Sequence, residues 1–292
     1  MQCYCETLIF VIGVVIRHWS FSRLIHDVIF STAMGNILFW PLLRQFRATV
    51  YDAFILKLTT KWYEAVLSRL DKGSTVLDVG IGTAGEVMML IALSCWPHSA
   101  YEPHALLCVG ALIRCKDILL DRKIRVMGLD YDADYVAKAQ NAIRNAGLDQ
   151  VVSVVDMSVY DVQRDKSKLL LPGETRPTLF DAIYFSGSFS LLPDKPGALT
   201  AVKPLLQTNG KICVIQTYQR YTPLLLPYLK PLLRYVTTID FGQLIREDRA
   251  AEIFHQQVPE QCQLDCVEHE VIKGSVDTFV QAAYLTILKP KA

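Results

Sequence analysis

Between residues 51 and 70 the apolar side chains Phe54, Leu56, Leu58, Trp62, Ala65, Val66 and Leu70 recur at helical spacing. This predicts a helix closed by Asp71-Lys72-Gly73. Short apolar runs bounded by turn residues then predict buried strands over 76–79, 124–130, 151–156, 179–185 and 211–217. Helices are expected between them, one opening at Asp132-Ala133-Asp134 and one over 198–206. Toward the C-terminus the pattern predicts a sixth strand over 235–239, a helix over 243–254 and a last strand over 278–288. The stretch 221–234 carries Pro223, Pro227 and Pro231 and reads as an irregular substrate-side loop or broken helix.

Residues 1–50 follow a different pattern. Residues 8–16 are continuously apolar, and Arg17 and His18 then interrupt them. About 20 apolar residues are needed to cross a bilayer, so the run is too short. A secretory signal wants positive charge before its apolar core, and only Glu6 is there. The apolar runs 24–30 and 37–43 lie near Arg23, Arg44 and Arg47. Two expectations fit this apolar, helical extension: membrane contact at the lipid interface, or a cap on the domain that follows.

The 292 residues allow one large domain with an extension, or two small ones. Net charge is +1, from 30 basic and 29 acidic residues with no basic block, so a nucleic-acid partner is not expected. Eight scattered cysteines form no C-x-x-C pair. No metal site and no disulfide framework are expected, but reduced thiols. The expected localisation is cytoplasmic, with membrane association through the N-terminus left open.

The chemistry concentrates after strand one, in Asp78-Val79-Gly80-Ile81-Gly82-Thr83-Ala84-Gly85. A strand that stops in a glycine turn and enters a helix lets a ligand approach the main chain. Read literally, residues 80–85 match G-x-G-x-x-G, the dinucleotide fingerprint. Asp78 discriminates, because a carboxylate there repels a pyrophosphate and favours a cation. The stretch resembles motif I of the class I S-adenosylmethionine (SAM)-dependent methyltransferases, acid-x-Gly-x-Gly-x-small.

That resemblance extends over 76–288. It implies an α/β fold with a doubly wound, seven-stranded, mostly parallel sheet whose last strand is antiparallel. Residues 51–292 would then be the SAM-binding domain, with Asp78, Val79, Gly80, Gly82 and Thr83 at the cofactor. Asp130, with Tyr131 beside it, ends strand two, where two carboxylate oxygens match two ribose hydroxyls; Asp132 reads as a helix cap. Met157 and Ser158 are the adenine candidates, with Asp156 and Asp161 as alternatives. Ser186 lies at the end of strand four. Phe185 and Phe189 belong either to the ligand site or to the core. Asp130 stands 45 residues after Gly85, where about 20 are usual. The excess points to an insertion at 86–109, either a lid or membrane-touching segment or a translated intron. The expected function is methyl transfer from SAM to a small-molecule or lipid acceptor. The alternatives are a non-catalytic, membrane-tethered SAM binder and an NAD(P)-dependent oxidoreductase. His26, His255, His269, Tyr184 and Asp181 are general-base candidates without a motif, and the catalytic residue stays unassigned.

Overall fold

The computed structural model describes residues 56–81, 107–221 and 245–291. Residues 1–55, 82–106 and 222–244 lie outside the described residues, and with them the N-terminal extension, Gly82, Thr83, the predicted strand 235–239 and most of the predicted insertion. The last three residues assigned to that insertion, 107–109, form the first turn of a helix.

Helix α1 (Leu56–Leu67) buries Leu56, Thr59, Tyr63, Val66 and Leu67, a stripe set by the 3.6-residue period. Gly73 takes a left-handed φ of 85° in the turn after it, and its N–H bonds the Arg122 carbonyl. Strand β1 (Thr75–Val79) is buried at every position, as a central parallel strand must be. Next come α2 (Leu107–Arg114), α3 (Lys116–Arg122), β2 (Arg125–Asp130), α4 (Ala133–Asn145) and β3 (Val152–Asp156). Asp132 caps α4 by accepting from the N–H groups of Asp134 and Tyr135. Strand β4 (Phe180–Ser186), α5 (Lys195–Val202) and β5 (Leu206–Gln219) follow. Strand β5 starts five residues before the predicted one because the chain bulges through Asn209-Gly210 and still pairs Leu206 with Phe180.

The predicted helix 243–254 is the short α6 (Glu247–Glu252), continued by a π turn over Ile253–Gln257 and by α7 (Val258–Cys262). Pro259 lacks the N–H that an uninterrupted α-helix would need, and the wider π turn precedes it. The sixth strand of the sheet is β6 (Leu264–Val271), and β7 (Gln281–Pro290) completes it. The sequence placed the sixth strand at 235–239. That stretch lies outside the described residues; the sixth strand in chain order among those described is a charged edge strand, bulged between Cys266 and Glu268, whose Asp265, Glu268 and Glu270 hide the strand pattern.

The strand order is β3-β2-β1-β4-β5-β7-β6. Strand β7 runs antiparallel to both β5 and β6, while β1 to β5 pair in parallel. Two hydrophobic clusters cover the two faces. Tyr63, Ile81, Cys108 and Tyr184 lie in one, and Val79, Met157, Phe185, Phe189 and Phe254 in the other. The chain winds outward from β1 in one direction and from β4 in the other. The carboxyl ends of these two strands therefore flank the crevice where open α/β sheets bind ligands.

Candidate functional site

Asp78 stands at that crevice, paired in register with Gly128 of β2 and Tyr184 of β4. Its side chain is fully buried. Oδ2 accepts a 2.5 Å hydrogen bond from the Tyr63 hydroxyl of α1, and Oδ1 has no hydrogen-bond partner among the described residues. Burial pushes the Asp78 carboxyl up to about 7. The Tyr63 hydrogen bond pulls it down, and the neighbouring Asp130 raises it. The Tyr184 hydroxyl and Ser186 Oγ, on the same face of β4, are also buried. Burial keeps the Tyr184 hydroxyl protonated well beyond its ordinary range, and the Ser186 side chain lies close enough to pull it down in part. A buried carboxyl oxygen without a partner among the described residues, flanked by these two hydroxyls at one sheet end, is a place that a polar ligand group would satisfy.

The turn after β1 is built on β2. Gly80 adopts φ 80°, and the N–H groups of Gly80 and Ile81 both donate to the Leu129 carbonyl, at 2.8 and 3.1 Å. The Ile81 side chain packs onto Gly128, where an added Cβ would lie 2.7 Å from its Cδ1. Val79 points into the opposite cluster, and its carbonyl accepts from buried Ser188 Oγ at 2.6 Å. Helix α1 roofs this end of the sheet. Tyr63 reaches Asp78, while Trp62 reaches Gly187, whose φ of 73° turns the chain after β4.

Asp130 is buried at the end of β2, and its Oδ1 accepts from the Asp132 N–H at 3.1 Å. Tyr131 beside it is 51% exposed. The two adenine candidates are engaged locally. The Met157 N–H bonds the Asp130 carbonyl at 2.8 Å and its side chain is in the core, while Ser158 Oγ caps the turn Val159–Asp161 through the Tyr160 N–H. Asp156 is exposed at the end of β3, and Asp161 pairs with Arg164 at 3.2 Å. Phe185 and Phe189 are core residues, packed edge to face at 5.6 Å.

Of the base candidates, Asp181 lies at the amino end of β4 and is engaged by the Thr75 N–H and hydroxyl. His269 is on β6, four strand spacings from β1, or roughly 19 Å. It stacks on Tyr284 at 4.8 Å, with His255 beside it. His26 lies outside the described residues. Among the described residues no cluster of His, Cys, Asp and Glu is arranged to hold a metal, and Cys108, Cys115, Cys213, Cys262 and Cys266 are free thiols. No helix among them is long and apolar enough to cross a membrane. The sequence pattern singled out Asp78, Gly80, Asp130 and Ser186, and all four stand at this sheet end. It missed Tyr63, whose one signal is a hydroxyl on the apolar stripe of α1, and Ser188.

No protein-family model matches the sequence, and no curated protein is similar to it. Solved structures are similar in fold. The mitomycin 7-O-methyltransferase MmcR is 13% identical over 93% of this chain and 67% of its own, with a TM-score of 0.51. The [4+2]-cyclase SpnF is 14% identical over 80% of this chain and 82% of its own, with a TM-score of 0.48. A SAM-dependent methyltransferase from Aquifex aeolicus is 15% identical over 82% of this chain and 92% of its own, with a TM-score of 0.46. At such identities likeness speaks for architecture and not for reaction. Strand order, the reversed β7 and the likeness to MmcR together give this chain the class I SAM-dependent methyltransferase fold.

Proposed function

We propose that this chain is a SAM-dependent methyltransferase acting on a small-molecule or lipid acceptor. One observation carries the reading: a buried carboxyl at the switch point of the sheet, Asp78, keeps one oxygen without a partner among the described residues. A cationic ligand group would satisfy that oxygen, and SAM carries an ammonium and a sulfonium. Asp130, oriented by the Asp132 N–H, suits a pair of ribose hydroxyls. A dinucleotide fits less well. Its pyrophosphate would face both carboxyls, and the Gly80 and Ile81 N–H groups are already given to the Leu129 carbonyl.

Bound SAM supplies a methyl group already activated by its sulfonium. The chain's task is alignment and exclusion of water. Correct alignment of two reactants is worth about 7–11 kcal/mol of barrier. Helix α1, seated through Tyr63 and Trp62, closes the site on one side and strengthens the electrostatics inside it. The acceptor class rests on the apolar residues 1–50 and the proline-containing stretch 221–234, which point to an apolar acceptor and to membrane association as part of the same proposal. The test is transfer of a labelled methyl group from SAM to fractions of a cell extract, the lipid fraction included. Label in a lipid or small-molecule fraction is expected. Label confined to protein or nucleic acid would overturn the acceptor class, and no label in any fraction would overturn methyl transfer.

A further inference from the structure

We propose that Tyr63 is a positioning residue acting through Asp78: its hydroxyl occupies one carboxyl oxygen, and the other is left for the cationic group of the ligand. The inference rests on the SAM reading of the site and adds helix α1 to it. Tyr63 lies on the buried face of α1, with its hydroxyl 2.5 Å from Asp78 Oδ2. Its ring meets Tyr184 edge to face, with centroids 5.1 Å apart. A phenylalanine would fill the same space and make the same ring contact, so the hydroxyl is there for the carboxyl. With Oδ2 held by Tyr63 and Oδ1 unpartnered among the described residues, the carboxyl presents one wholly open oxygen in a fixed orientation.

Among the described residues, the groups facing Asp78 are Tyr63 from α1, Cys108 from α2, Tyr184 from β4 and Asp130 from β2. Burial keeps the Tyr63 and Tyr184 hydroxyls protonated and pushes the Cys108 thiol up to about 12. Asp130 is a like charge, so none of the four is a cation. Burial, with the like charge of Asp130 added to it, lets Asp78 retain its proton up to about pH 7, and a cationic ligand takes that proton's place. Affinity should fall tenfold per pH unit below this value and level off above it. The Tyr63 hydrogen bond favours the ionised carboxyl, so its loss moves the inflection upward.

The experiment is calorimetric titration of S-adenosylhomocysteine, which keeps the α-ammonium, into the full chain between about pH 5 and pH 9. Wild type, Tyr63→Phe and Asp78→Asn are compared. The expected wild-type profile bends near pH 7. In Tyr63→Phe the bend moves up by about one pH unit or more, and in Asp78→Asn it disappears. A merely structural Tyr63 would change affinity at every pH and leave the bend in place, which would overturn the proposal while leaving SAM binding intact. A flat wild-type profile would overturn it too, whether or not Tyr63→Phe folds. No binding to wild type at any pH would remove the SAM reading and the inference with it.

Discussion

Asp78 concentrates the chemistry of this chain in one side chain. A carboxyl held above its ordinary range binds its proton more tightly in the folded than in the unfolded protein. The stability it contributes is present below about pH 4 and is lost as pH rises through about 7. For a fully buried group this amounts to roughly 4 kcal/mol at most. Urea unfolding of ligand-free wild type and Asp78→Asn should give curves that diverge across that window, with wild type losing stability relative to the variant. A constant difference between about pH 4 and pH 8 would contradict the burial argument. Asp78, Gly80 and Asp130 were legible in the sequence because strand, turn and acid are local and their spacing carries the chemistry. Tyr63 was not: its partner is 15 residues away, and a tyrosine on an apolar helix face looks like any other core residue. Met157 and Ser158 follow a strand as site residues do, yet the same neighbourhood supplies local backbone partners that already engage them.

The elements most exposed to solvent were the least legible. Strands β1, β2 and β4 are nearly all buried and read as apolar runs. Strand β6 is a half-exposed edge with acids at alternate faces, so its pairing with β7 leaves little trace in the pattern. Strand β2 and the turn after β1 depend on each other through Gly128 and Ile81. A methyl group on Gly128 would lie 2.7 and 2.8 Å from Ile81 Cδ1 and Cγ2, and both residues are buried between strand and helix. Gly128→Ala should cost about 1–3 kcal/mol by overpacking. Adding Ile81→Ala to the same chain should recover part of that loss, so thermal unfolding of the two single variants and the double variant should not be additive. Strictly additive losses would show that the turn does not rest on β2.

At the scale of the whole molecule, the order β3-β2-β1-β4-β5-β7-β6 places one crevice between the ends of β1 and β4, and the acids at 78 and 130 stand beside it. This architecture was legible from the glycine turn and the succession of strands. The exception was strand β6, which depends on pairing across the sheet edge and not on local pattern. Calorimetry at neutral pH decides whether the crevice binds SAM, as proposed, or a dinucleotide. S-adenosylhomocysteine should bind saturably at one site per chain and NAD should not. Gly80→Arg, which puts a long side chain at a left-handed backbone position, should abolish the binding, and Asp130→Ala should weaken it. Saturable binding of NAD without S-adenosylhomocysteine, or unchanged affinity in both variants, would contradict the proposal.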